Sequence, residues 1–247
     1  MPQNIYDNDA FFEGYMRIRE RACNANDLIV DPAVNKHLPD LNGKTVLDLG
    51  CGYGKKCVDF ANRGARSVLG IDISEKMLSL AKEKCSDKKI TYLRLDMNAI
   101  DKIEQRFDFI YSGLAFHYVE DFDRLIGNIF NLLNPGGILL FVQEHPIITA
   151  TIGSGHWNKD EKGERVSYTF SNYNQPGVRS NFWIVDNVIK YHRTMGEIVT
   201  TLAKKGFFIE LMEEPAPEKE VVEKYPVFKE DFLKPDFLMI RARKIRV

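Results

Sequence analysis

The run Val46-Leu47-Asp48-Leu49-Gly50-Cys51-Gly52-Tyr53-Gly54 constrains this chain more than any other. An apolar segment leads straight into a glycine turn, and an acid, Asp48, enters that turn. A second apolar run, Ser67-Val68-Leu69-Gly70-Ile71-Asp72, ends in another acid. A strand, a glycine-rich turn, a helix and a strand ending in an acid make one βαβ nucleotide-binding unit. Glycine lets the backbone come close to a ligand with no Cβ in the way. A carboxylate at the tip of the second strand has two oxygens and accepts from both hydroxyls of a ribose. The expected ligand is therefore a nucleoside with a free 2′,3′-diol.

Spacing narrows the choice of nucleoside. A dinucleotide fingerprint wants glycine or alanine at its third position, so that the helix lies close to the strand and the pyrophosphate. That position holds Lys55. Asp48 is also a poor neighbour for a pyrophosphate and a good one for a cationic ligand. Both points disfavour a nicotinamide oxidoreductase. The pattern D-x-G-x-G-x-G from Asp48 to Gly54 resembles the first motif of class I S-adenosylmethionine-dependent methyltransferases, the group that includes ubiquinone- and menaquinone-biosynthesis enzymes. That cofactor carries an ammonium and a sulfonium and no phosphate.

The segments that follow resemble the same family in the same order. Ile90 to Asp96 reads as a third strand ending in an acid, and Phe107 to Ser112 as a fourth. A helix opened by Asp121 is closed by Asn134-Pro135-Gly136-Gly137, a stop-and-turn signal. Ile138 to Val142 reads as the fifth strand. The resemblance is close over residues 44 to 145 and looser towards the C-terminus, where Phe207–Met212 and Phe237–Ala242 fit the last two strands. It implies an α/β fold: a Rossmann-like, seven-stranded, mostly parallel sheet with helices on both faces and an antiparallel last strand. A helical N-terminal cover and an inserted β-rich lid after strand five complete the expected architecture.

The 247 residues are 44% hydrophobic, enough for one sizeable α/β domain. One domain is expected, in four zones: a cover (1–40), a cofactor-binding βα core (41–147), a substrate-lid insert (148–193), and a C-terminal helix with the last two strands (194–247). In the cover, Phe11, Tyr15 and Ile18 share a helical face. The insert holds Trp157, Tyr168, Phe170, Tyr173, Phe182, Trp183 and Tyr191. Tyr168–Phe170 and Ser180–Val185 read there as short strands. Because the insert follows a strand whose carboxyl end opens on the ligand side, it is placed to wall off a second substrate. Helical spacing over 194–206 puts Ile198, Val199, Leu202 and Ala203 on one face.

A formal net charge of −1 gives the whole chain no electrostatic reason to seek nucleic acid or an anionic membrane. No apolar stretch approaches the ~18–20 residues that span a bilayer. The start, Met1-Pro2-Gln3-Asn4, is polar and lacks a signal-peptide core. Cysteines at 23, 51, 57 and 85 show no C-x-x-C spacing, and no Cys/His cluster suggests a metal. They read as free thiols in a reducing cytoplasm.

The resemblance implies roles for individual residues. Asp48 orients a water or amide near the cofactor's ammonium. Gly50, Gly52 and Gly54 let the backbone approach the methionine part and its neighbours, and Cys51, in the same turn, is placed to touch the ligand. Asp72 holds the ribose diol. Ile73 and Met77 follow it, placed for the adenine face, although Met77 also fits the core stripe Met77, Leu80, Ala81. Asp96 accepts from the adenine amine with Met97 beside the ring, and Ser112 and Gly113 border the sulfonium. His117, directly after strand four, is a candidate for general base or for a hydrogen-bonding group at the acceptor. His145 leaves strand five on the same side and is the second catalytic candidate. His192 faces the pocket or caps the next helix, and His37 is expected at the surface.

A sulfonium is already an activated leaving group, so alignment of nucleophile, methyl and sulfur can supply roughly 7–11 kcal/mol of the acceleration. The segment after strand four reads SGLAFH rather than the [DN]PP[YF] of enzymes that methylate adenine or glutamine nitrogen. No basic stripe with interleaved aromatics suggests RNA. A small-molecule acceptor with an apolar or aromatic body fits best. The acceptor atom stays open, as does the alternative of a non-catalytic S-adenosylmethionine-binding regulator or partner protein.

Overall fold

The strand before the glycine turn, β1 (Thr45–Leu49), is buried along its whole length. Its neighbours explain why. In the computed structural model, which describes residues 3–153 and 155–245, β1 pairs in parallel with β2 (Ser67–Asp72) on one side. Met1 and Pro2 of the polar start lie outside the described residues. Beyond β2 comes β3 (Ile90–Arg94). On the other side of β1 lie β4 (Phe107–Gly113) and then β5 (Leu133–Glu144), all parallel. A strand covered on both faces reads as a continuous apolar run. Val46, Phe109 and Tyr111 pack into one layer, and Leu47, Leu49 and Ile110 into the other, following the two-residue period of a strand.

Helices close both layers. Two of them, α1 (Asp9–Arg19) and α2 (Asp31–His37), precede the sheet. Then α3 (Lys55–Asn62) and α4 (Glu75–Lys84) connect the first three strands, and α5 (Phe122–Leu132) leads into β5. Asp121 caps α5 by accepting from the Arg124 amide. The Asn134–Gly137 turn does not sit between helix and strand as expected. Pairing begins already at Leu133, opposite Phe107, and resumes at Ile138 opposite Phe109. The turn is looped out of the strand, and Gly136 meets its backbone demand with φ 79°.

After β5 the short α6 (Pro146–Ala150) leads into the insert. The insert holds four strands rather than two: β6 (His156–Lys159) pairs with β7 (Arg165–Thr169), and β8 (Gly177–Trp183) pairs with β9 (Val185–His192). The run Ser180–Val185 is therefore not one strand. It crosses a tight turn at Ile184, where φ is 68°. β9 escapes a periodicity reading because polar side chains face inward: Lys190 and His192 are buried on the same face as Val188.

The chain then forms α7 (Met195–Lys204), β10 (Phe207–Glu213), α8 (Lys219–Lys224) and β11 (Phe237–Lys244). β11 lies between β5 and β10 and runs antiparallel to both, giving the sheet order β10-β11-β5-β4-β1-β2-β3. In α7, Ile198 and Leu202 are buried as expected, whereas Ala203 is exposed. Thr194 and Glu197 form a reciprocal capping box at its start. Thr194→Ala should cost about 1 kcal/mol. It should appear as a lower urea midpoint with an unchanged slope; an unchanged midpoint would mean that tertiary packing alone holds this helix.

The cover and the insert meet each other. Phe11 of α1 is fully buried with its ring centroid 5.2 Å from that of Trp183. A Cβ on Gly14 would lie 2.4 Å from Ile184 Cγ2, so glycine is required for this contact. His37 is not a free surface residue: its Nε2 lies 2.7 Å from Glu213, tying α2 to β10. Among the described residues, no helix is long and apolar enough to cross a membrane.

Candidate functional site

The carboxyl ends of β1, β2 and β4 open into a cavity of about 600 Å³. It sits between β1, from which the chain runs outwards to β2 and β3, and β4, to which it crosses back before continuing the other way to β5; this is the switch point at which open α/β sheets bind ligands. The glycine turn forms its floor. Gly50 and Gly52 have φ of 72° and 53°, conformations that disfavour any side chain. A Cβ on Gly50 would also lie 2.6 Å from that of Ala115.

Asp72 organises this turn. Its Oδ2 accepts from the Gly52 amide and its Oδ1 from the Ser74 amide, both at 2.9 Å. Burial raises its pKa, and those two amides work against the rise. A carboxylate has about four acceptor positions, so two remain for a ligand. Ile73 and Met77 line the same end of the cavity, as do Asp96 and Met97. Asp96 also caps the following turn by accepting from the Asn98 amide. Gly113 and His117 border the middle.

Five expected site residues, Gly54 at the start of α3 among them, are not on the cavity wall. Asp48 is buried behind the turn and accepts from Cys57 Sγ at 3.3 Å. Burial, with Asp72 adding repulsion against the Cys57 hydrogen bond, pushes its pKa up to about 7. Cys51 points back towards Gly70, where a Cβ would meet both its sulfur and that of Cys57. Ser112 donates to the Leu49 carbonyl at 2.8 Å, joining β4 to β1. His145 caps α6 by accepting from the Ile147 amide, and its Nε2 lies 3.1 Å from Glu214. His192 likewise serves the insert, held between Thr149 and the Tyr173 carbonyl.

His117 does reach the cavity, buried on the turn after β4. Its Nδ1 accepts from the Glu144 amide at 3.3 Å. Burial pushes its pKa down to about 4, with the Glu144 charge opposing. The ring is therefore neutral near pH 7, and the tautomer that pairs with this amide carries its proton on Nε2. This leaves no lone pair free to abstract a proton, which favours a hydrogen bond to the acceptor over base catalysis.

Other wall residues were not singled out from the sequence. Arg19 at the end of α1 is almost buried. Its NH2 nitrogen donates to Asp27 at 3.0 Å and to Tyr53 at 3.2 Å, while its Nε has no partner. Its place four residues after Tyr15, on the face that carries Ile18, was a usable signal. Glu144 ends an apolar strand just as Asp72 does, which was another. Lys234 and Asp236, which bond each other before β11, gave none. No group of three or more His, Cys, Asp or Glu among the described residues is arranged to hold a metal ion.

The strand order, the glycine turn and the strand-tip acid define a nucleoside-binding α/β protein. A family model described as a methyltransferase domain matches residues 46–137. An S-adenosylmethionine-dependent methyltransferase structure from Mesorhizobium loti is 39% identical and superposes with a TM-score of 0.78, over 86% of this chain and 96% of that one. An uncharacterized protein of Haemophilus influenzae is 37% identical over 98% of this chain and 97% of its own length. A ubiquinone biosynthesis O-methyltransferase of Coxiella burnetii is 36% identical over 118 residues, 46% of this chain and half of that enzyme. The chain belongs to the class I S-adenosylmethionine-dependent methyltransferases, and S-adenosylmethionine is its cofactor. The cavity suits that molecule: acids at one end for a neutral, donor-rich nucleoside, and the unpartnered Arg19 Nε near the glycine turn for a carboxylate.

Proposed function

We propose that this enzyme, a single domain acting in the cytoplasm, methylates a small molecule with an apolar or aromatic body by in-line displacement. The observation that carries this reading is the continuity of the cavity. It runs from Asp72, Asp96 and Met97 past Gly50 and Gly113 to Tyr118, Trp157, Tyr168 and Trp183. Cofactor and acceptor would thus share one enclosed space, under a roof that the cover and the insert build together. That roof, and a net charge of −1, argue for a small acceptor rather than a nucleic acid.

Asp72 would take the ribose diol. Asp96 and Met97 would meet the base, and Ile73 and Met77 would flank it. Gly50, Gly52 and Gly113 would admit the methionine part, and Arg19 would face its carboxylate. When bound, the cofactor supplies a methyl on a positively charged sulfur. The chain then has to align the acceptor and exclude water.

Methyl transfer from radiolabelled S-adenosylmethionine to a panel of small aromatic acceptors tests the activity. Calorimetry tests the cofactor pose. A charge-assisted hydrogen bond is worth about 1.5–3 kcal/mol. Arg19→Met should therefore weaken S-adenosylhomocysteine about ten-fold or more. It should leave 5′-methylthioadenosine, which lacks the carboxylate, nearly unchanged. Equal loss for both would remove Arg19 from the carboxylate site.

A further inference from the structure

Glu144 stands at the end of β5, on the cavity wall and beside His117. Its Oε1 accepts from Lys190 Nζ at 2.5 Å, and its Oε2 is buried with no hydrogen-bond partner. Burial works against the charge on this carboxyl, but nearby His117 and Lys190 outweigh it and hold the group below the ordinary carboxylate range. A buried, ionised oxygen without a donor is a deficit that native proteins rarely leave in place. A donor brought by a ligand would remove it. Next to it, His117 presents Nε2–H, and no protein group among the described residues accepts from that atom.

An acceptor and a donor side by side complement a group that is both at once. A hydroxyl is such a group. An ammonium would donate to Glu144 but would meet the Lys190 charge and the His117 N–H. A carboxylate would accept from His117 but would be repelled by Glu144. The Glu144–Lys190 pair sums to zero charge, and Lys234 and Asp236, which lie beside Glu144 where β11 begins against the end of β5, pair with each other. Nothing there is left to neutralise a charged acceptor. The Trp183 ring, with Lys190 Nζ 5.0 Å from its centroid, and Tyr118 provide flat walls beside this point.

On the reading of the cavity given above, we propose that Glu144 and His117 anchor a neutral acceptor by its hydroxyl group, and that the Glu144 carboxylate receives the hydroxyl proton. His117 Nε2–H donates to the acceptor oxygen, and the O–H donates to Glu144. As the oxygen bonds to a methyl from the bound cofactor, the methyl–sulfur bond would break with its electron pair left on sulfur, and the acceptor's O–H bond breaks. The bonding pair stays on oxygen, and the proton goes to Glu144. Methylation makes that proton strongly acidic, so a weakly basic carboxylate is a sufficient destination.

A matched series of naphthalenes, titrated into the full chain saturated with S-adenosylhomocysteine, tests the anchor. 1-Naphthol should bind at least ten-fold more tightly than 1-methoxynaphthalene, 1-naphthoate or 1-naphthylmethylammonium. In Glu144→Gln the advantage of naphthol over its methyl ether should fall below three-fold, with the affinity for S-adenosylhomocysteine unchanged. His117→Phe should lose the same preference, and His117→Asn, which restores a donor, should regain part of it. Preference for the anion or the cation, an unchanged preference in both Glu144→Gln and His117→Phe, or no binding by any of the four would overturn the proposal. Failure of the unmodified chain to bind S-adenosylhomocysteine would instead strike the cofactor pose on which it rests.

Discussion

Asp72→Ala should lower the affinity for S-adenosylhomocysteine by ten-fold at least, and towards a hundred-fold. The carboxylate is expected to hold the ribose diol, and it already orders the turn beneath by accepting from Gly52 and Ser74. The substitution thus removes ligand hydrogen bonds and loosens the backbone that shapes the site. Hydrogen bonds to a charged group contribute about 1.5–3 kcal/mol each, and two on one group do not add fully. Titration calorimetry gives the affinity, and far-UV circular dichroism checks that the sheet is retained. Asp72→Asn should lie between the two, since one of its side-chain atoms still accepts. An unchanged dissociation constant in the alanine variant would place the diol elsewhere.

Asp48→Asn is expected to stabilise the ligand-free protein, and chiefly at higher pH. Burial raises the Asp48 pKa from 3.8 to about 7. The folded chain keeps a proton there that the unfolded chain releases above the ordinary carboxylate value. Stability is thus complete below that value and falls as pH rises through the interval up to about 7. One pKa unit is worth ~1.4 kcal/mol, so full ionisation costs the fold on the order of 4 kcal/mol. Asparagine has nearly the same shape, still offers Cys57 an oxygen, and never ionises. For a chain of this size the gain corresponds to roughly 8–16 °C in melting temperature. It should appear in full at pH 8.5 and shrink to about a quarter of that near pH 4.5. An equal shift at both values would mean that the effect has nothing to do with the charge. The position of Asp48 behind the turn makes this a stability experiment, whereas the sequence motif placed it near the cofactor's ammonium.

The motif and the structure part company over such details for a physical reason. Where a strand passes into a tight turn, the regular two-residue alternation is lost, and Asp48 is still within β1. Gly50 and Gly52 face out, while Asp48 and Cys51 turn back towards Cys57 and Gly70. Spacing shows that the turn exists but not which side each residue takes. His145 is a similar case. Its place after β5 is on the ligand side in sequence terms, yet its ring is engaged by the start of α6 and by Glu214, which arrives from beyond β10. β9 was hidden because its inward face carries Lys190 and His192. Those side chains are tolerable inside only because Glu144, Thr149 and Tyr173 are there to receive them.

The sequence alone determined the βα core, the glycine turn and the acids at the tips of β2 and β3. These are short-range features: apolar periods of two and 3.6 residues, and backbone angles that suit glycine. The acceptor end of the cavity was decided by the tertiary structure. Glu144, His117 and the β8–β9 hairpin that carries Trp183 and Lys190 come from three separate stretches, and they meet only in the folded chain. Whether a carboxylate is paired, or which nitrogen of a histidine carries the proton, depends on groups that only folding brings within hydrogen-bond reach.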